Sequence, residues 1–176
     1  MADKMFIYLS RFDRILVTGP QRSGTRIAAK MIASDLGYPY IDEVRFAVGH
    51  QLSFAKLLRE TSKGVFQCPG MCHVIQKHTA PNIAIIFMRR PTRDIVASQD
   101  RIKWVSSSER SNYQCGNQPV CEAKLSRWLN SQRAVCHNCF DLHYDDLKNH
   151  PLWIPKNLRS KFKWDQTTIL YKGVKP

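Results

Sequence analysis

Ile15-Leu-Val-Thr-Gly-Pro-Gln-Arg-Ser-Gly-Thr-Arg26 is the stretch on which the fold turns. Arg14–Thr18 is short, apolar and β-branched, and reads as a buried strand. Residues 19–24 form a Gly-containing loop. From Thr25 to Leu36 the apolar positions Ile27, Ala28, Met31, Ile32 and Leu36 recur at helical spacing, and Gly37 ends the helix. A strand that feeds a helix through such a loop aims unpaired backbone N–H groups at an anion, and the helix dipole adds to the attraction. Arg22 and Arg26 bracket the loop with donors suited to phosphate or sulfate oxygens. Gly19 and Gly24 match the spacing of the nucleotide-triphosphatase loop G-x-x-x-x-G-K-[ST]. Thr25 then stands in the Lys position, and Arg26 in that of the Mg²⁺-binding hydroxyl. The loop is predicted to hold phosphates without the two side chains that an ATP-hydrolysing site uses most.

Working outward, 38–41 is a short strand candidate. Gln51–Glu60 reads as a helix with Leu52, Ala55, Leu57 and Leu58 inward, and 65–67 as another strand. Pro69 is placed to open a helix to about His78. Residues 83–88 (Ile-Ala-Ile-Ile-Phe-Met) are apolar throughout, the pattern of a central strand covered on both faces. Residues 93–104 and 122–136 read as helices, and 140–144 as a last strand before a basic, Trp-containing tail. This alternation predicts a three-layer α/β fold with a mostly parallel central sheet and a P-loop-like phosphate-binding loop.

The 176 residues fit one domain over 1–176. No run approaches 18 consecutive apolar residues, and the apolar stretch near the N-terminus is too short for a secretory signal, so the cytoplasm is the expected compartment. Lys+Arg total 27 against 14 Asp+Glu, a net charge of +13, with a pI near 9.7. That excess favours anionic partners: nucleotides, nucleic acid, acidic glycans or a membrane surface. The six cysteines are expected to be mostly free thiols. Cys136 with Cys139, and Cys115 with Cys121, are weakly spaced candidates for zinc.

The segment Arg22-Ser-Gly-Thr25 resembles the 5′-phosphosulfate loop of sulfotransferases, whose common form is [KR]-S-G-T-[TS]. A second match follows the apolar strand. Arg90-Pro-Thr-Arg-Asp-Ile-Val-Ala-Ser98 resembles the family's Arg-x7-Ser pair, and the surrounding Phe87-Met-Arg-Arg-Pro and Ala-Ser-Gln99 are similar to prokaryotic members. A third, Leu142-His-Tyr-Asp-Asp-Leu147 before Pro151, resembles a late strand–helix segment of the family, where Asp145 or Asp146 can cap the helix. The three lie in the family's order and span most of the chain.

The resemblance implies a PAPS (3′-phosphoadenosine 5′-phosphosulfate) site made of Gln21, Arg22, Ser23, Gly24, Thr25 and Arg26 for the phosphosulfate, with Arg90 and Ser98 on the 3′-phosphate. It implies transfer of SO₃ to a hydroxyl or amine acceptor, adenosine 3′,5′-bisphosphate as product, and no metal. Arg22 is expected to offset charge in the reaction. The family often carries a catalytic Lys where this chain has Gln67, which can donate to a bridging oxygen but brings no charge. Lys77-His-Thr79 competes for that place but lies too close to Arg90, and reads as a helix face. Glu43 in Glu43-Val-Arg-Phe46 resembles the base that other branches carry after the second strand. A carboxylate in a basic cleft is expected to have a lowered pKa. His73 and His78 stand behind Glu43 as base candidates. Two rivals remain open at this level: a P-loop nucleotide or nucleoside kinase, and a non-catalytic basic protein that binds nucleotide or nucleic acid through the Lys156–Trp164 segment.

Overall fold

The structure is a computed structural model that describes residues 4–47, 49–101, 130, 137–155 and 157–158. Five strands form one sheet: β1 (Arg14–Thr18), β2 (Tyr40–Ile41), β3 (Gly64–Gln67), β4 (Ile83–Arg89) and β5 (Cys139–His143). Their order is β2-β3-β1-β4-β5, and every pairing is parallel. Among the described residues the sheet is flanked by α1 (Thr25–Leu36), α2 (Gln51–Glu60) and α3 (Thr92–Arg101). The fold is three-layer α/β with a parallel central sheet and a P-loop-like loop after β1.

Two apolar layers cover the two faces. Ile15, Val17, Ala84, Ile86 and Met88 face α1 and the N-terminal 3₁₀ turn Ile7–Arg11. Leu16, Phe66, Ile85 and Phe87 face the other way, onto Phe54 and Leu58 of α2 and Ile95 of α3. Alternation within β1 and β4 splits these residues between the faces, which is why both strands read as unbroken apolar runs.

The 83–88 strand is interior, paired in parallel with β1 and β5 and buried on both faces, as its apolar run predicts. Other expectations change. Pro69 opens only a 3₁₀ turn, Pro69–Met71, and a second one spans Ile75–His78. A Gly at position 70 and the irregular backbone around Cys72–Val74 replace the continuous helix. In α2 the buried residues are Phe54 and Leu58, while Leu52 is 78% exposed. Positions 54 and 58 are four apart and define the inward stripe, and Leu52 falls outside it. The helix expected over 122–136, apart from Asn130, lies outside the described residues. So do Cys115, Cys121, Cys136 and the basic tail from 159 onward.

Candidate functional site

In an all-parallel sheet the strands' C-terminal ends share one edge, and ligands of such sheets bind there, where the strand order reverses. Here the reversal falls between β1 and β4. The chain leaves β1 for α1 on one face, and leaves β4 for α3 on the other. Each strand delivers a chemistry-bearing residue at this edge: the 19–26 loop after β1, Glu43 just after β2, Gln67 as the last residue of β3, Arg90 after β4 and Tyr144 after β5.

The loop is held in an unusual backbone path. Gly19 and Gly24 have φ of 140° and 104°, and Arg22 has φ of 74°. A left-handed conformation in a residue with a Cβ costs about 1–2 kcal/mol, and such strain gathers at ligand sites. Gly24 is also obligatory for space: a Cβ there would meet the Tyr144 ring at 2.5 Å. As the N-cap of α1, Gly24 brings no side-chain cap, so the first turn's N–H groups remain open to an anion. Ser23 Oγ is buried without a partner among the described residues.

Arginines converge on this loop. Arg22 Nε donates to Ser98 Oγ at 3.2 Å, and Arg101 Nη2 donates to the same oxygen at 3.3 Å. Arg90 Nη1 donates to the carbonyl of Arg22 at 2.9 Å, and its guanidinium stacks 4.4 Å from the Tyr144 ring centroid. Partial burial, then Arg101, Arg90 and Arg26, lower the Arg22 pKa from its ordinary value. Arg26 turns instead toward Asp42, at 3.4 Å. Asp42 Oδ2 also accepts from Tyr40 Oη at 2.7 Å, and Oδ1 accepts the N–H of Val44, so Asp42 caps the 3₁₀ turn that begins with Glu43.

Glu43 is buried beside the loop. Its Oε1 accepts from Gln21 Nε2 and from Gln67 Nε2, each at 3.4 Å. Its Oε2 accepts the N–H of Gly70 at 3.3 Å. The expected lowering of its pKa is not what the structure shows. Desolvation raises it, and the donors from Gln21, Gly70 and Gln67 oppose that only in part. The basic charge of the cleft lies on the arginines across the loop, and the groups touching Glu43 are neutral amides. Gln67 is placed as expected, yet its amide N–H faces Glu43, and its buried Oε1 has no partner among the described residues.

All the predicted site residues therefore come to one edge of the sheet. Arg90 and Ser98 do so without touching: Ser98 is taken by Arg22 and Arg101, and Arg90 by the loop backbone and Tyr144. Two members escaped sequence reasoning. Arg101 carries a signal, since it lies three residues after Ser98 on the same helix face. Tyr144 directly follows the last strand, as Arg90 follows β4. His78 is edge-on to Phe54, with ring centroids 4.8 Å apart. Among the described residues no group of His, Cys, Asp and Glu is disposed to hold a metal ion. Among the described residues Cys68, Cys72 and Cys139 are in no disulfide, and no helix is long and apolar enough to cross a membrane.

No family model and no curated protein sequence matches the chain. Among solved structures, the chain is similar to shikimate kinase from Acinetobacter baumannii in complex with shikimate, at 15% identity and a TM-score of 0.47, over 77% of this chain and 86% of that one. It is also similar to the YorR protein from Bacillus subtilis in complex with phosphorylated GDP, at 12% identity and a TM-score of 0.41, over 74% and 85% of the respective chains. Neither carries a sulfotransferase name.

Proposed function

We propose that this chain binds PAPS and transfers its sulfuryl group to a hydroxyl or amine acceptor. The observation that carries this reading is the composition of the loop site: three guanidiniums around an open helix N-terminus, with Thr25 and Arg26 where an ATP site places its Lys and its Mg²⁺-binding hydroxyl. Such a site neutralises an anionic donor with protein cations alone.

The residues present suit PAPS. The loop N–H groups, Ser23 Oγ and Arg22 would hold the phosphosulfate, with the buried, unpartnered Ser23 Oγ supplying an unused hydrogen-bonding group there. Arg90, whose Nε is also buried and unpartnered, and Ser98 would hold the 3′-phosphate. Bound PAPS supplies an electrophilic sulfur and a leaving group already shared with the loop's donors. Arg22 and the loop amides are fixed before reaction, so they stabilise charge at the departing oxygen without reorganising. Glu43 lies one residue's reach from Arg22, through Gln21, and takes the acceptor's proton on a carboxylate oxygen. Gln21 and Gln67 hold that carboxylate in place.

A second reading is phosphoryl transfer from ATP, the class of chemistry named for shikimate kinase above. The Gly19–Gly24 spacing and the Asp42–Glu43 carboxylates after β2 favour it, while Thr25 and Arg26 oppose it. Thermal denaturation with adenosine 3′,5′-bisphosphate, with AMP, and with ATP and Mg²⁺ separates the two. At 100 times its Kd the bisphosphate is expected to stabilise by about 2.7 kcal/mol, and AMP far less. A larger shift with ATP and Mg²⁺ than with the bisphosphate replaces the first reading by the second.

A further inference from the structure

Ser98 is 4% exposed, yet two arginine side chains reach it from different elements: Arg22 from the loop and Arg101 from the last turn of α3. A hydroxyl oxygen accepts through two lone pairs and donates through one hydrogen. With an N–H from each arginine on the oxygen, the hydroxyl hydrogen is left as a donor. The three side chains then present donors only, and the complement of a donor-only site is an oxyanion. The charged groups acting on Arg22 are Arg101, Arg90 and Arg26, joined by the Tyr144 phenol, and no carboxylate is among them. Among the described residues, Asp94 lies by Arg93, Asp145 by Lys148 and Asp42 by Arg26. Arg90, meanwhile, has one guanidinium nitrogen on the Arg22 carbonyl and its face on Tyr144. Its Nε remains without a partner among the described residues.

We propose that Arg101 is a ligand-binding residue which, with Arg22 and Ser98, forms the subsite for the second phosphate of the nucleotide, and that it sets selectivity for a doubly phosphorylated adenosine. The role rests on the PAPS reading and extends it: Arg101 joins Ser98 and Arg90 at that phosphate, while Arg90 Nη1 also holds the carbonyl of Arg22. Two guanidiniums held within reach of one hydroxyl repel each other, and an anion between them relieves that repulsion and completes their hydrogen bonding.

The test is titration calorimetry of adenosine 3′,5′-bisphosphate, AMP and inorganic pyrophosphate against wild type, Arg101→Gln and Arg101→Lys. Arg101 is exposed, so the apo proteins are expected to melt together, and a common melting temperature verifies this. Arg101→Gln is expected to weaken the bisphosphate by about 10- to 100-fold, the worth of a charged hydrogen bond, while changing AMP by less than twofold. Arg101→Lys restores part of the loss. If wild type prefers the bisphosphate and Arg101→Gln keeps that preference, the assignment of Arg101 is overturned while the PAPS reading stands. If wild type binds the bisphosphate no better than AMP, the PAPS reading falls, and pyrophosphate judges the cluster. A loss of about 10-fold with Arg101→Gln then upholds it as an anion site, and unchanged affinity removes it.

Discussion

Glu43 is a buried carboxylate facing three hydrogen-bond donors, and its raised pKa means that burial outweighs them. The sign of two pH effects follows. A base works when ionised, so transfer is expected to rise with pH, with its acid limb above the ordinary carboxylate range. Folding favours the protonated form, so the Glu43 contribution to stability is greatest below the unfolded-state pKa and is lost as pH rises through the folded value. Glu43→Gln keeps the side-chain shape. It is expected to lower single-turnover transfer by about 10²–10⁴-fold, remove the acid limb, and leave nucleotide affinity nearly intact. Its stability relative to wild type is expected to improve with rising pH, read from urea midpoints across the acid range. Unchanged transfer would take Glu43 out of the chemistry. The position of Glu43 was legible from its place after the second strand, but its environment was not. Sequence counts the cleft's cations, and only the fold shows that amides, not arginines, touch this carboxylate.

At the level of elements, β1, the 19–24 loop and α1 were legible because each obeys a local rule: an apolar run, glycines at the required left-handed positions, and a helical stripe closed by Gly37. The reading failed where tertiary packing chose between equally good local answers. In α2, Leu52 and Phe54 are both apolar, and the Phe46, Phe66 and His78 rings, which meet Phe54 edge-on at 4.9, 6.0 and 4.8 Å, decide which faces inward. Likewise Tyr144 looked like part of a strand–helix junction, and its ring in fact closes over the phosphate loop. Gly24→Ala tests that closure. The new Cβ would be strained at φ 104° and would strike the Tyr144 ring. A loss of about 2–4 kcal/mol is expected from the two effects together. Tyr144→Ala removes the ring clash but not the backbone strain. The double variant should therefore be less destabilised than the sum of the two singles, a coupling measured by a double-mutant cycle in urea. Strict additivity would show that the ring does not confine the loop.

Across the whole molecule, a second polar cluster sits at the far end of α1 and ties three distant stretches of chain. Asp35 Oδ2 accepts the N–H of Phe6 at 3.0 Å, and Asp35 Oδ1 lies 3.1 Å from His150 Nε2. The N–H of Leu152 donates to His150 Nδ1 at 3.1 Å. This last bond assigns the ring: Nδ1 accepts, so Nε2 carries the proton and donates to Asp35. Phe6 stacks on the imidazole with centroids 5.8 Å apart. In Asp35→Asn the amide oxygen can keep the Phe6 N–H, but its NH₂ then confronts Nε2–H, donor against donor. The imidazole cannot move its proton to Nδ1 without stranding the Leu152 N–H. One buried donor is left unmatched, at a cost of about 1–3 kcal/mol. For a chain of this size each kcal/mol lowers Tm by roughly 2–4 °C. Asp35 lies ten residues beyond Thr25, about 15 Å along the helix from the phosphate loop. Asp35→Asn is therefore expected to lower Tm while changing adenosine 3′,5′-bisphosphate affinity by less than twofold. Calorimetry at a temperature where both proteins are folded makes the comparison. A parallel loss of affinity would mean that α1 transmits the state of this cluster to the loop, and that the site is not supported by the sheet edge alone.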